Sequence, residues 1–211
     1  MTIREADAVI LAAGDFPSHT IPVTVLEQHR NRIICCDSAA DALLHAGFYP
    51  LAVVGDCDSI SAGSRDKLSD RFFHESDQYT NDLTKAVRYC QTRSCKRLLI
   101  LGATGKREDH TLGNISLLAD YMDIADVEMI TDHGIFTPVT GRTVFESCAG
   151  QQISVFCMDQ APLTLQGLKW PLTRQVITGW WQGTLNEALA GSFVVETSGK
   201  AVVFRNWESE N

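Results

Sequence analysis

The chain is 211 residues long, 45% hydrophobic and 21% charged, which is enough to bury a core in one large domain or two small ones and too apolar for a disordered chain. Its formal net charge of −8, with nearly all of the acidic excess in residues 1–140, disfavours nucleic acid and anionic membrane surfaces as partners. No apolar stretch reaches the length of a membrane span, the N-terminal residues Met1-Thr-Ile-Arg-Glu-Ala-Asp7 lack a signal-peptide pattern, and seven cysteines without a C-x-x-C pair indicate neither zinc nor a disulfide framework, so a reduced, cytoplasmic setting is expected.

In chain order, Ala8–Ala12, Arg32–Cys36, Leu51–Val54 and Leu98–Leu101 are short continuous apolar runs, the pattern of strands buried on both faces of a parallel sheet. Helical spacings fall between and after them. Leu83, Ala86, Val87 and Cys90 lie at i, i+3, i+4 and i+7 within 81–93, and Leu112, Ile115, Ala119 and Met122 make a similar stripe over 109–122, with Asp109 placed to cap its start. The alternation predicts a three-layer, Rossmann-like α/β domain with a mostly parallel sheet over residues 1–134. Beyond it, glycine-containing turns at 140–142, 149–151, 183, 191 and 198–200 separate short segments such as Ile153–Phe156, Phe193–Val195 and Ala201–Phe204. Residues 135–211 therefore read as an all-β sandwich or barrel, with a helical turn near Asn186–Leu189.

Four acidic clusters stand out against this frame: Asp37 in Cys-Cys-Asp-Ser, Asp56 and Asp58 in Gly-Asp-Cys-Asp-Ser, Asp77 and Asp82 in Asp-Gln-Tyr-Thr-Asn-Asp, and Asp109 in Gly-Lys-Arg-Glu-Asp-His. In open α/β sheets ligands bind beyond the carboxyl ends of the strands, where several of these clusters fall. Carboxylates gathered there repel one another unless a cation sits among them, and hard oxygen ligands point to Mg²⁺ carrying a phosphorylated substrate. The expectation is a magnesium-dependent enzyme acting on a nucleotide or similar phosphate. Gly102-Ala-Thr-Gly-Lys-Arg107 has neither the P-loop nor the dinucleotide-binding spacing, but backbone amides followed by Lys106 and Arg107 suit phosphate oxygens. Ala13-Gly14-Asp15 either brings backbone close to a ligand or simply turns the chain from strand to helix. The six histidines show no metal-ligand spacing, and no nucleophile–base pair stands out. Packing is the default role for Trp170, Trp180, Trp181 and Trp207.

Five segments, taken in order, resemble the thiamine pyrophosphokinase family: Cys36-Asp-Ser-Ala-Ala-Asp41, Val54-Gly-Asp-Cys-Asp-Ser-Ile60, Asp77-Gln-Tyr-Thr-Asn-Asp-Leu-Thr-Lys-Ala86, Gly102-Ala-Thr-Gly-Lys-Arg-Glu-Asp-His-Thr111 and Gly167-Leu-Lys-Trp-Pro-Leu172. The resemblance implies transfer of a pyrophosphoryl group from ATP to the hydroxyethyl arm of thiamine, giving thiamine diphosphate and AMP. It also implies an α/β domain followed by a β-sandwich, and a homodimer whose active site is shared between subunits. Carried over by position, Asp56, Asp58 and Asp82 look like the magnesium ligands. Asp109 and Arg107 would line the phosphate path, and Asp82 or Asp109 would take the hydroxyl proton. Asp37 would stand near the nucleotide, Gln78, Thr80, Lys85 and Lys106 would contact the substrates, and Trp170 and Asn186 would lie on the thiamine side. The sequence departs from the family pattern at Ser38-Ala39, where a glycine pair is usual, and at Asn81, where threonine is usual. Lys106 stands in place of glycine and Leu185 in place of serine. These departures keep two rivals open: a related magnesium-dependent transferase or phosphohydrolase, and a non-catalytic nucleotide- or thiamine-binding regulator.

Overall fold

The structure, a computed structural model, describes residues 3–56, 58–77 and 79–209. The chain divides into two compact bodies, one made of Glu5–Asn114 with Ile124–Asp132, the other of Ile115–Asp123 and His133 onward together with the first few residues.

The first body alternates strand and helix. Its elements are β1 (Ala8–Leu11), α1 (Thr20–Gln28), β2 (Ile33–Cys36), α2 (Ala39–His45), β3 (Ala52–Gly55), α3 (Ala62–Lys67), β4 (Phe72–His74), α4 (Asp82–Thr92), β5 (Arg97–Leu101), α5 (Glu108–Tyr121) and β6 (Asp126–Ile130). The strands pair in the order β6-β5-β1-β2-β3-β4, every pair parallel. The apolar runs read from the sequence become β1, β2, β3 and β5, and each residue of β1, β2 and β3 is buried. Because β1 to β4 are laid down in one direction and β5 then returns to the other side of β1, the strand order reverses between β1 and β5. That reversal opens a crevice at the carboxyl ends of these two strands, where such sheets bind ligands.

Helix α4 follows its predicted face, with Leu83, Ala86, Val87 and Cys90 buried along with Lys85 and Tyr89. Asn81 caps it, its side chain accepting a hydrogen bond from the Thr84 amide at 2.9 Å. Helix α5 departs from expectation. It begins at Glu108, so Asp109 lies in the first turn rather than at the cap, and Leu112 is exposed while Leu118, Ala119 and Tyr121 are buried. The two bodies divide within this helix, after Asn114, so a single apolar stripe does not describe it.

The second body is β-rich: β7 (Gly134–Glu146), β8 (Gln151–Cys157), β9 (Leu163–Gln166), β10 (Leu172–Gln175), β11 (Asn186–Glu187) and β12 (Ser192–Ser209). Strands β7 and β12 are antiparallel partners over most of their length. The other edge of β12 pairs with β9 over 194–197 and with β8 over 201–205. The change of partner falls at Ser198–Lys200, where the β12–β7 register also shifts. Two short sheets thus fold over one shared pair of long strands and enclose a core that includes Phe145, Ile153, Val155, Leu165, Phe193, Val195 and Val203. The helical turn expected at Asn186–Leu189 is instead the short strand β11, paired to Ile153 and Gln152 of β8. A 3₁₀ turn lies earlier, at Trp180–Gly183. Local helix propensity in Asn-Glu-Ala-Leu yields here to sheet pairing, which tertiary context routinely imposes. No helix among the described residues is long and apolar enough to cross a membrane.

Phe193 is fully buried and stacked on Phe145 at 5.1 Å between ring centroids. Phe193→Ala is expected to cost about 3–5 kcal/mol, measured as the shift in an equilibrium urea unfolding curve.

Candidate active site

Two backbone loops meet at the crevice between β1 and β5. The amides of Ala12, Gly14 and Asp15 donate to the carbonyls of Leu101 (2.8 Å), Gly102 (2.7 Å) and Thr104 (2.9 Å). A Cβ on Gly14 would lie 2.3 Å from the Thr104 oxygen and 2.5 Å from the Gly102 oxygen, so only glycine allows this approach. Of the two sequence readings of Ala13-Gly14-Asp15, the structure shows backbone approaching backbone. The loops form one wall of a cavity of about 450 Å³ whose lining includes Asp37, Asp56, Thr80, Asp82, Lys85, Lys106 and Arg107.

The acidic wall comes from the ends of β2 and β3 and the start of α4. Asp37, Asp56 and Asp58 each place a carboxylate oxygen within 4.8 Å of the others. Asp37 is buried and follows β2 in a left-handed conformation (φ 39°). One of its carboxylate oxygens is buried with no hydrogen-bond partner among the described residues. Gly55 makes room for the cluster, since a Cβ there would lie 3.2 Å from Asp37 Cβ and 3.3 Å from Asp82 Oδ1. Burial pushes the Asp37 carboxyl above its ordinary value. The Ser59 hydroxyl opposes that shift, and the charges of Asp82, Asp56 and Asp58 add to it.

Asp82, in the first turn of α4, accepts a hydrogen bond from Lys85 Nζ at 2.9 Å. Burial works against the Lys85 charge, but the Asp82 hydrogen bond and the carboxylates of Asp82, Asp56 and Asp77 outweigh it and hold the ammonium above its usual value. Asp37, Asp56 and Asp58 form a group close enough to share a cation, and Asp82, expected with Asp56 and Asp58 as a metal ligand, lines the same cavity as Asp37 and Asp56. Hard oxygen donors in a tight group, one with a buried unpartnered oxygen, fit a Mg²⁺ ion.

The remaining expected residues fall in several places. Thr80 lines the cavity, and its hydroxyl donates to Asp77 at 2.8 Å. Asp77 also accepts from the Tyr79 amide at 2.9 Å, and these bonds hold its carboxyl below the ordinary range. Asp77 thus closes a turn. Lys106 reaches the Ala13 carbonyl at 2.8 Å and has a left-handed backbone (φ 53°), which accounts for the glycine usual in the family at this position. Arg107 grips Asp109 through two hydrogen bonds of 3.1 and 2.6 Å, and this grip holds the Asp109 carboxyl down at about 2. Arg107 lines the cavity and Asp109 does not. Gln78 lies outside the described residues.

Trp170 and Asn186 are brought together in the second body. The Asn186 side chain accepts from the Trp170 amide (3.1 Å) and donates to the Trp170 carbonyl (2.8 Å), which leaves the indole exposed. Trp181 is also exposed, so the default packing role holds for neither. Sequence reasoning missed His110 and Asn114, one helical turn apart on α5, which both line the cavity. Asn114 accepts from Asn81 at 3.1 Å and donates to the Ala103 carbonyl at 2.8 Å, tying the cap of α4 to the loop after β5. Their i, i+4 spacing after Arg107 was the available signal.

An all-parallel α/β body with a carboxylate cluster and a cation-bearing loop at its strand-order reversal, followed along the chain by a β-rich body, defines a two-part α/β protein whose first part has a ligand-binding crevice. Residues 23–130 match the family described as "Thiamin pyrophosphokinase, catalytic domain", and residues 134–204 match "Thiamin pyrophosphokinase, substrate-binding domain". The chain belongs to the thiamin pyrophosphokinase family. It is 30% identical over 181 residues to a thiamine pyrophosphokinase of Bacillus subtilis, covering 80% of this chain and 83% of that protein. With thiamine pyrophosphokinase 1 of rice, Oryza sativa, it shares 32% identity over 141 residues, 59% of this chain and 53% of the relative. The fold is that of the solved thiamin pyrophosphokinase from Candida albicans, with a TM-score of 0.80 at 18% identity over 95% of this chain and 90% of that one. The Bacillus subtilis crystal structure gives a TM-score of 0.77 at 22% identity over 94% and 98%.

Because the fold raises the Asp37 carboxyl, its ionisation costs stability. That cost is absent at low pH and sets in as pH rises through and above the ordinary carboxylate range. Asp37→Asn is therefore expected to raise the Tm of the metal-free protein at pH 7 but not near pH 3, as read from thermal unfolding at the two pH values. Lys106→Gly removes a left-handed non-glycine residue and is expected to gain about 1 kcal/mol, read from urea unfolding.

Proposed function

We propose that the chain is a thiamine pyrophosphokinase, which attacks the β-phosphorus of ATP with the hydroxyl of thiamine and releases AMP and thiamine diphosphate. Two observations in succession carry the proposal: both family domains match in order along the chain, and the first body gathers carboxylates and cations around one cavity. Residues 1–134 would bind the nucleotide and residues 135–211 the thiamine.

Phosphoryl-type transfer asks a protein for positioning and charge neutralisation more than for covalent chemistry. Asp56 and Asp58, with Asp37 and Asp82 beside them, would hold Mg²⁺, which supplies positive charge to the phosphate oxygens as they separate. Lys85, Lys106 and Arg107 line the same cavity and would neutralise the remaining phosphate charge. Asp109 suits proton acceptance poorly, since Arg107 holds its carboxyl at about 2. Asp82 is the better of the two candidate bases only in position: it faces the cavity, and its partner Lys85 stays charged. On the thiamine side, the exposed Trp170 ring already attracts the Lys169 ammonium, 5.1 Å from its centroid, and such an aromatic face would likewise suit a thiazolium cation.

The exposed Trp170, Trp181, Leu185 and Leu189 support assembly as a homodimer, and the free cysteines support a reducing, cytoplasmic compartment. Incubation with ATP, Mg²⁺ and thiamine should yield AMP and thiamine diphosphate in equal amounts and only when thiamine is present. Release of ADP or phosphate instead would refute the pyrophosphoryl reading. Asp56→Asn and Asp82→Asn are each expected to remain folded and to lower turnover on the order of 10³-fold; near-normal turnover would remove that residue from the site.

A further inference from the structure

The turn that ends α4 brings two thiols together. Ser94 takes a left-handed conformation (φ 60°), and the amides of Ser94 and Cys95 donate to the carbonyls of Gln91 (3.0 Å) and Cys90 (3.1 Å). These paired bonds are those of the Schellman motif, which sets the residue after the left-handed position against the one five places earlier. Here that contact sets Cys95 against Cys90, near enough for each thiol to raise or lower the titration of the other. Both are free.

A disulfide needs Cα atoms within roughly 7 Å, and a six-residue turn closed by a backbone hydrogen bond meets that need. Cys90 is buried and Cys95 is partly exposed. Both line a second cavity, of about 410 Å³, which also touches Ala8, Ala52 and Phe72, the first residues of β1, β3 and β4. It therefore lies at the end of the sheet opposite the carboxylate cluster.

We infer that Cys90 and Cys95 form a modification site, a dithiol that a low-molecular-weight disulfide reaches through this cavity and oxidises reversibly to an intramolecular disulfide. The Cys95 thiolate attacks one sulfur of the small disulfide, breaking its S–S bond and releasing one thiolate, which takes up a proton. Cys90, losing its own proton, attacks the Cys95 sulfur of the mixed disulfide and expels the second small thiolate. The two protein thiols give up two electrons and two protons, and the small disulfide becomes two thiols. Asp82 and Lys85 occupy the other end of α4 and take no part.

Titration sets the pace. Burial pushes the Cys90 thiol up to about 12, with Cys95 adding to the shift. Burial also raises Cys95, as does Asp7, while the neighbouring Cys90 thiol and Arg93 pull it down. Asp70 and Arg71 are the other charged groups of the cavity. Oxidation is accordingly slow at neutral pH, with a rate that climbs about tenfold per pH unit as thiolate forms.

The test treats the reduced full-length protein with oxidised glutathione at about pH 7 and about pH 8.5. Remaining thiols are then alkylated after unfolding and the peptides are weighed. The expected product is one cross-linked species joining residues 90 and 95, short of two hydrogens, unalkylated at both, and reopened by dithiothreitol. Cys90→Ser should stop at a glutathione mixed disulfide on Cys95, and Cys95→Ser should leave Cys90 reduced. Wild-type protein that becomes glutathionylated at exposed Cys148 while both 90 and 95 remain alkylatable overturns the inference. So does a glutathione adduct on wild-type Cys95 that persists. The wild-type arm decides even if either variant fails to fold.

Discussion

Mutual repulsion among carboxylates at the ends of parallel strands is the constraint around which the first body is arranged. Asp37, Asp56 and Asp58 are held with their oxygens within 4.8 Å of one another, and Asp82 stands close enough to raise the Asp37 carboxyl further. Such a group is unfavourable in isolation, and the fold tolerates it by recruiting buried Lys85 to Asp82. The strands end where they do because their interiors are uninterrupted apolar runs, so polar residues are forced to the carboxyl edge. Gly55 lacks the Cβ that would press on both Asp37 and Asp82.

The facing wall is built by a different device. Gly14 allows the loop after β1 to bond directly to the loop after β5, and left-handed residues at 102, 105 and 106 turn the latter back over the crevice. Lys106 adopts this conformation without being glycine, so the fold accepts local strain and gains a cation at the cavity. Asn114 and Asn81 then join this wall to the start of α4. The two walls carry opposite charge, an arrangement suited to a metal-bound polyphosphate.

Within the second body, internal hydrogen bonding likewise decides what the surface displays. Asn186 commits its amide to the Trp170 backbone, so its contribution is to present the exposed indole. Leu185, which stands where serine is usual, has a left-handed backbone (φ 60°) and an exposed side chain. The change from serine therefore alters what this surface offers to a ligand or partner while leaving β11 paired to β8.

Residue order alone settled the succession of layers, the buried strands and the face of α4, because burial on both sides of a sheet and helical periodicity leave direct traces in the chain. It also located the aspartate clusters and the family they resemble. Tertiary structure decided which carboxylates are neighbours: Asp37 joins Asp56 and Asp58 because β2 and β3 are adjacent in the sheet, a pairing no local spacing encodes. It likewise set Asp109 outside the cavity lining, turned Asn186–Glu187 into a strand, and brought His110 and Asn114 in. Each of these depends on contacts between segments far apart in the chain, and those contacts exist only once the sheet has formed.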